Sequence, residues 1–247
     1  MTPDGAALLC LLIFAAALLY SSVGHAGASG YLAAMALCGV APAVMKPSAL
    51  VLNVLVATIA TVQFYRAGRF SFSLLWPFAV ASVPLAFVGG ALTLPGTFYK
   101  PAVGLVLLFA AYRLLQVPRE VDANPETKPV PLPWALVSGA GIGLLSGLTG
   151  TGGGIFLSPL LLFMGWAETR ESAGVSAAFI LVNSIAGLAG LLTKPVALPE
   201  SVPLWAVAAV AGGLLGSGLG SRHLRSHTLR RLLSAVLVVA GLKLMLT

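Results

Sequence analysis

Apolar residues run along this chain in long blocks, and the charged residues gather in the short stretches between them. Most of these blocks are close to the 20 or so residues that a helix needs to cross a bilayer. The pattern predicts an all-α polytopic membrane protein with about ten hydrophobic segments. The segments cover residues 5–23, 27–43, 47–65, 71–94, 98–116, 133–149, 153–167, 173–192, 202–221 and 228–246.

A polar, proline-rich stretch at residues 118–132 divides the chain into two parts of similar length. Its composition predicts an extended connector between a first membrane repeat, residues 1–117, and a second, residues 133–247. The parts align as an internal repeat, in which Asn53 matches Asn183 and Gly90 matches Gly220. With five segments each, the two repeats are expected to have inverted orientations in the membrane, a common plan among transporters.

Basic residues support this topology. If all ten segments cross, Lys46, Lys100, Lys194 and Lys243 lie on one side and the rest of the 14 Lys and Arg residues on the other. Such a bias is expected of cytoplasmic loops, and it disappears if segments two and seven do not cross. We therefore expect ten crossings with both termini outside. Because segments two and seven are short, the alternative that they are re-entrant stays open.

Segments two and seven each open at a glycine-rich stretch. One glycine run extends from Gly24 to Gly30 and the other from Gly147 to Gly154. Short, glycine-broken hydrophobic segments at matching places in two repeats are the sequence feature that indicates the binding site of a secondary transporter. Close packing between helices is the alternative explanation, since small residues also line helix interfaces in membranes.

Composition narrows the class of molecule. Hydrophobic residues make up 58% of the chain and charged residues 9%, with a mean hydropathy of +0.99, so the expected surroundings are a lipid bilayer. The net charge of +7 comes from loop residues and does not form the pattern of a nucleic-acid-binding protein. Nothing in the spacing of the cysteines or histidines predicts a metal, a disulfide or another cofactor.

The acidic residues are informative by their positions. All seven lie near a segment end, in the connector or at the terminus, and none lies in mid-membrane: Asp4, Glu120, Asp122, Glu126, Glu168, Glu171 and Glu200. A cation carrier commonly has an intramembrane carboxylate, so a cation substrate is disfavoured. Glycine-rich backbone at a helix start, with its free N–H groups and partial positive charge, suits a small anion instead.

The candidate substrate-binding residues come from both glycine runs and from the helices beside them. Lys46 and Asn53 share one helix face, as do Ser176 and Asn183. Three of these residues have structural alternatives. The amides of Asn53 and Asn183 could join helices through hydrogen bonds, and Lys46 could extend to the membrane interface. His25 could contact an anion, exchange a proton or cap broken backbone. The full candidate set is Gly24, His25, Gly27, Ser29, Lys46, Asn53, Thr149, Gly150, Thr151, Gly152, Gly153, Ser176 and Asn183.

Three stretches resemble the TauE/SafE sulfite exporter family: Gly141–Pro159, Ser176–Gly187 and Gly241–Met245. The resemblance covers essentially the whole chain. It implies a bacterial inner-membrane carrier made from a duplicated helical unit, associated with sulfite, organosulfonates and similar sulfur-containing anions. The first repeat departs from the family's glycine pattern at residues 25–29, which places extra side chains in the expected pocket.

The sequence therefore predicts a secondary transporter of small anions in the bacterial inner membrane, and not an enzyme. A passive anion channel with the same lining is the main alternative, followed by a membrane assembly factor that transports nothing. Whether the protein forms a homo-oligomer stays open.

Overall fold

The computed structural model describes residues 3–115, 127–196, 198–220 and 227–246, and every regular element in these ranges is a helix. The connector before residue 127 and the basic turn at 221–226 lie outside the described residues. Ten helices follow one another along the described chain: α1 Pro3–Ser21, α2 Ala28–Leu37, α3 Pro42–Arg66, α4 Phe72–Ala91, α5 Gly96–Leu115, α6 Leu132–Thr149, α7 Gly154–Phe163, α8 Thr169–Leu191, α9 Val202–Gly220 and α10 His227–Leu246.

Each predicted hydrophobic segment corresponds to one helix. Five of the helices are long and apolar enough to cross a membrane by length and composition, namely α3, α4, α6, α8 and α9. The prediction of an all-α, multi-pass membrane protein is confirmed. Helix α3 begins five residues earlier than expected, at Pro42, because Pro47 is accommodated inside the helix. Proline removes a single backbone donor there, and the helix continues past it.

Helices α2 and α7 are much shorter than their apolar segments, with 10 residues each. Both begin after a glycine with positive φ, Gly27 at 103° and Gly153 at 81°. Soon after each helix ends, another glycine adopts positive φ, Gly39 at 72° and Gly165 at 69°. Glycine enters this left-handed region without the steric cost that a side chain brings, so these positions set the limits of both short helices.

Helices α4 and α6 run parallel in direct backbone contact. A Cβ atom built on Gly143 would lie 2.2 Å from the carbonyl oxygen of Ser82, and one on Gly147 would lie 2.1 Å from that of Ala86. No side chain fits at such distances. Glycine at every fourth position is the usual means by which membrane helices approach this closely.

Helices α1 and α9 pack in the same parallel manner through a second glycine ladder. A Cβ on Gly212 would lie 2.4 Å from the carbonyl oxygen of Phe14, and one on Gly216 would lie 2.1 Å from that of Leu18. The two ladders join the halves of the chain, because α4 and α1 belong to the first half and α6 and α9 to the second.

Two further pairs are antiparallel. On α3 and α8, the side chain of Asn53 contacts Ser184, and one turn earlier Leu50 contacts Gly187. On α5 and α10, a Cβ on Gly104 would lie 3.0 Å or less from Gly241, and the Ser234 hydroxyl donates to the carbonyl of Ala111 at 3.0 Å. Helices α3 and α5 therefore run opposite to α8 and α10, which occupy the corresponding positions in the second half.

Candidate functional site

Two helix interruptions meet inside the protein. The first break comprises residues 22–27, between α1 and α2, and the second comprises residues 150–153, between α6 and α7. Between them lies a small cavity. Both breaks and helices α1, α2, α7 and α8 contribute to its walls, through Tyr20, His25, Ala26, Gly27, Ala28, Ser29, Thr151, Ile155 and Ile180.

The first break is shaped by two glycines. Gly24 has a φ of 78°, and a Cβ on it would lie 2.3 Å from the carbonyl oxygen of Ala173 in α8. Gly27 has a φ of 103° and precedes the first residue of α2. The Tyr31 hydroxyl donates to the carbonyl of Ala26, which holds the extended backbone against α2. Side-chain bulk is excluded at both glycines, and the backbone of Gly27 borders the cavity.

His25 connects the two breaks. Its Nδ1 lies 3.0 Å from the carbonyl oxygen of Val23, and its Nε2 lies 3.1 Å from that of Gly154, the first residue of α7. A carbonyl oxygen only accepts, and a neutral imidazole has a single N–H. Neutral His25 therefore donates to one of these carbonyls, whereas the protonated ring donates to both.

The second break contains three glycines in the left-handed region: Gly150, Gly152 and Gly153, with φ of 82°, 77° and 81°. Thr149 Oγ1 donates to the carbonyl of Leu145 at 2.7 Å and lies 3.0 Å from Thr151 Oγ1. Because a hydroxyl has one hydrogen, Thr151 then donates to Thr149. Rotation of the Thr151 hydroxyl would direct that hydrogen to a ligand in the cavity instead.

The starts of two short helices converge on the cavity. Helix α2 begins after Gly27 and α7 after Gly153, and neither has a side-chain cap on its first turn. The first turns of both helices reach the cavity wall, through Ala28 and Ser29 on one side and Ile155 on the other. A helix start carries free N–H groups and a partial positive charge. Two such starts around one cavity suit a negatively charged ligand.

Asn53 lies directly behind the second break. A Cβ on Gly152 would lie 2.9 Å from its Nδ2 and 3.1 Å from Ser184 Oγ. Its Oδ1 is buried and has no hydrogen-bond partner among the described residues. Asn53 therefore packs against the second break from behind, and it does not itself line the cavity.

Three other candidate residues lie elsewhere. The Asn183 amide donates to Phe179 on its own helix at 2.9 Å, and the Ser176 hydroxyl is 2.6 Å from that of Ser158 in α7. The Lys46 ammonium donates to three carbonyls at the end of α4, those of Gly89, Gly90 and Leu92, at 3.0, 3.0 and 3.1 Å. These bonds use all three of its hydrogens, so we leave Lys46 out of the proposed pocket.

Sequence reasoning missed several residues that the fold brings to the cavity. Tyr20, Ile155 and Ile180 line it, although none belongs to the polar part of a glycine run. Arg113, in the last turn of α5, lies close enough to His25 for their charges to interact. In the sequence, Arg113 lies near a segment end, which is typical of a topology signal, and the packing of α5 beside α2 brings it near the first break.

The described residues contain no group of three or more His, Cys, Asp or Glu side chains that could hold a metal ion. Cys10 and Cys38 are free thiols. The polar groups around the cavity are thus backbone N–H groups, hydroxyls and one imidazole, beside apolar alanine and isoleucine side chains.

Comparison with known proteins agrees with this architecture. Residues 9–244 match the model of the family described as sulfite exporter TauE/SafE. A protein of Sinorhizobium fredii named probable membrane transporter protein y4hK is 43% identical over 239 residues, which is 96% of this chain and 97% of the relative. No solved structure matches. The chain is therefore a multi-pass membrane transporter protein that belongs to the sulfite exporter TauE/SafE family.

Proposed function

We propose that this protein is a secondary transporter of small anions, specifically sulfur oxyanions or organosulfonates such as sulfite, in the bacterial inner membrane. The observation that carries the proposal is the convergence of two uncapped helix starts, those of α2 and α7, on one small cavity between the two breaks. Free N–H groups and helix dipoles bind anions at such positions without a permanently charged side chain.

The charge of the surroundings agrees with an anionic substrate. The cavity lining contains no carboxylate. The acidic residues of the described chain lie at the first turns of α1 and α8, just before α8 or in the loop before α9: Asp4, Glu171, Glu168 and Glu200. Arg113 adds a positive charge near the first break. A cation in this cavity would face donors and positive charge with no carboxylate to balance it.

The sulfur chemistry of the substrate comes from the family description, sulfite exporter. Sulfite and sulfonates present several oxygen acceptors around one centre. Donors approach the cavity from both sides, with Ser29 in α2 and Thr151 in the second break. A compact anion with oxygens in several directions can accept hydrogen bonds from the donors on both sides of the cavity.

Alternating access would follow from two inverted repeats, residues 1–117 and 133–247, joined by the connector at 118–132. The antiparallel pairs α3 with α8 and α5 with α10 support this division, because inverted repeats place equivalent helices in opposite directions. His25 contacts Gly154 across the boundary between the repeats. Rocking of one repeat against the other would open the cavity to each side in turn.

The test is binding and flux with matched solutes. Purified protein in detergent is titrated with sulfite, thiosulfate and methanesulfonate, and with tetramethylammonium as a cation comparable in size to methanesulfonate. We expect saturable binding of at least one anion and none of the cation. Preference for the cation would refute the proposal, and flux in proteoliposomes that rises linearly without saturation would identify a passive anion channel instead.

Gly153→Val provides the variant for this test. The added side chain would meet Ile142 and Phe179 within 3.0 Å at a φ of 81°, so it should abolish anion binding. Gly165→Val is the matched control, because Gly165 has a φ of 69° and no atom within 4 Å of an added Cβ. Equal anion affinity in both variants would argue against the helix starts as the binding site.

A further inference from the structure

A buried tyrosine hydroxyl in the cavity wall makes no hydrogen bond of good geometry to the described residues. Tyr20, in the last turns of α1, is 3% exposed. Its hydroxyl makes no hydrogen bond of good geometry in the part of the chain that the structure describes, and only a weak interaction with the Ser29 side chain beside it. Buried hydroxyls are nearly always paired, because an unpaired one loses its bonds to water and gains nothing in return.

Other buried tyrosines around the breaks follow the rule. The Tyr31 hydroxyl donates to the carbonyl of Ala26 in the first break. The Tyr99 hydroxyl donates to the carbonyl of Thr149, next to the second break, at 3.2 Å. Both of these hydroxyls are therefore paired with backbone carbonyls. Tyr20 differs in that it borders the cavity.

The ring of Tyr20 is held in one position. A Cβ on Gly30 would lie 3.1 Å from Tyr20 Cε2, so α2 presses directly on one edge of the ring. The ring also packs edge to face with that of His25, with the centroids 6.4 Å apart. A side chain fixed in this way can offer its hydroxyl to a ligand without an entropic cost of ordering.

From these observations we propose that Tyr20 is a substrate-binding residue, whose hydroxyl donates a hydrogen bond to an oxygen of the transported oxyanion. The inference rests on the proposed function and deepens it. With Ser29 at the start of α2 and Thr151 in the second break, Tyr20 provides a third hydroxyl to the cavity. Three hydroxyls from three chain segments favour an anion with several oxygens, such as a sulfite or sulfonate group.

The test compares three single substitutions, Tyr20→Phe, Tyr31→Phe and Tyr99→Phe, each of which removes one hydroxyl and keeps the ring. Sulfite and methanesulfonate are the titrants, and thermal unfolding is measured on the same samples without added anion. A hydrogen bond to a charged group corresponds to a roughly ten- to hundredfold effect on affinity. We expect Tyr20→Phe to weaken anion binding by this factor and to leave the unfolding temperature unchanged or raised.

The two control variants should behave in the opposite way, with a lower unfolding temperature because each loses a bond to backbone. A drop in unfolding temperature for Tyr20→Phe equal to that of Tyr31→Phe would show a protein partner for the hydroxyl and overturn the inference. Unchanged anion affinity in Tyr20→Phe would also overturn it, while the proposed function would stand. If the unsubstituted protein binds none of sulfite, thiosulfate and methanesulfonate, the proposed function fails and the inference falls with it.

Discussion

The amide of Asn53 in α3 donates to the hydroxyl of Ser184 in α8 at 3.4 Å, and this contact joins the two halves of the chain immediately behind the second break. Gly152 lies against both side chains, since an added Cβ would be 2.9 Å from the amide nitrogen and 3.1 Å from the hydroxyl. The shape of the break therefore depends on polar groups in two helices that are far apart in sequence.

Gly152→Ala should abolish transport. Its φ of 77° is strained for any residue with a side chain, at a cost of roughly 1–2 kcal/mol, and the methyl group would also collide with Ile180 at 2.6 Å. Gly39→Ala is the control, because Gly39 has a φ of 72° and open space around an added Cβ. Flux in proteoliposomes and thermal unfolding separate the effects: both variants should lose some stability, and only Gly152→Ala should lose transport. Normal flux in Gly152→Ala would contradict the proposed role of the second break.

Asn53→Leu and Asn183→Leu should each reduce transport more than they reduce the amount of folded protein. The Asn53 amide bonds to another helix, and such bonds contribute only about 0.6 kcal/mol on average, so its loss should cost little stability. The Asn183 amide bonds within its own helix. Each residue also has a buried Oδ1 with no partner in the described chain, and we expect that oxygen to serve transport. Flux normalised to protein level is the measurement.

Ser184→Ala distinguishes a site role from a packing role for Asn53. If the amide acts only through its bond to Ser184, then Ser184→Ala should reproduce the transport loss of Asn53→Leu. We expect Ser184→Ala to keep most of the flux. Equal losses in the two variants would mean that Asn53 holds helices together and takes no further part.

Lys46→Met should lower stability and leave anion affinity within about twofold. The Lys46 ammonium satisfies three carbonyls at the end of α4, and hydrogen bonds from charged donors contribute about 1.5–3 kcal/mol each at most. Lys194→Met serves as the control, since Lys194 donates one exposed bond to Thr93. Thermal unfolding and anion titration are the measurements. A large loss of anion affinity at an unchanged unfolding temperature would show that Lys46 contributes to anion binding.

Cysteine labelling should place the connector and the end of α10 on opposite faces of the membrane. Asn124→Cys and Leu246→Cys are made separately, with Cys10 and Cys38 replaced by alanine, and are labelled by an impermeant maleimide in intact cells. Leu246 is 83% exposed. Five crossings separate the sites if segments six to ten all cross, and four if segment seven is re-entrant. Labelling of both sites from the same face would therefore contradict the inverted repeats.

Much of the fold could be predicted from the sequence because lipid imposes a simple rule. A chain in hydrocarbon must satisfy its backbone groups internally, so long apolar blocks become helices, and each predicted segment corresponds to one described helix. Glycine determined the breaks for a local reason: positive φ is accessible to it at Gly27 and Gly153, where α2 and α7 begin. These features depend on neighbouring residues alone.

Contacts between distant parts of the chain were decided by the tertiary structure. The sequence placed His25, Ser29 and Thr151 in two separate glycine runs, and packing of the two halves brought them to one cavity. Packing likewise directed the Lys46 ammonium to the end of α4, and it left the Tyr20 hydroxyl without a well-aligned hydrogen bond to any of the described residues. Hydrophobic periodicity says which residues avoid water but not which helix faces meet. That choice depends on glycine ladders and side-chain shapes that fit only in the assembled bundle.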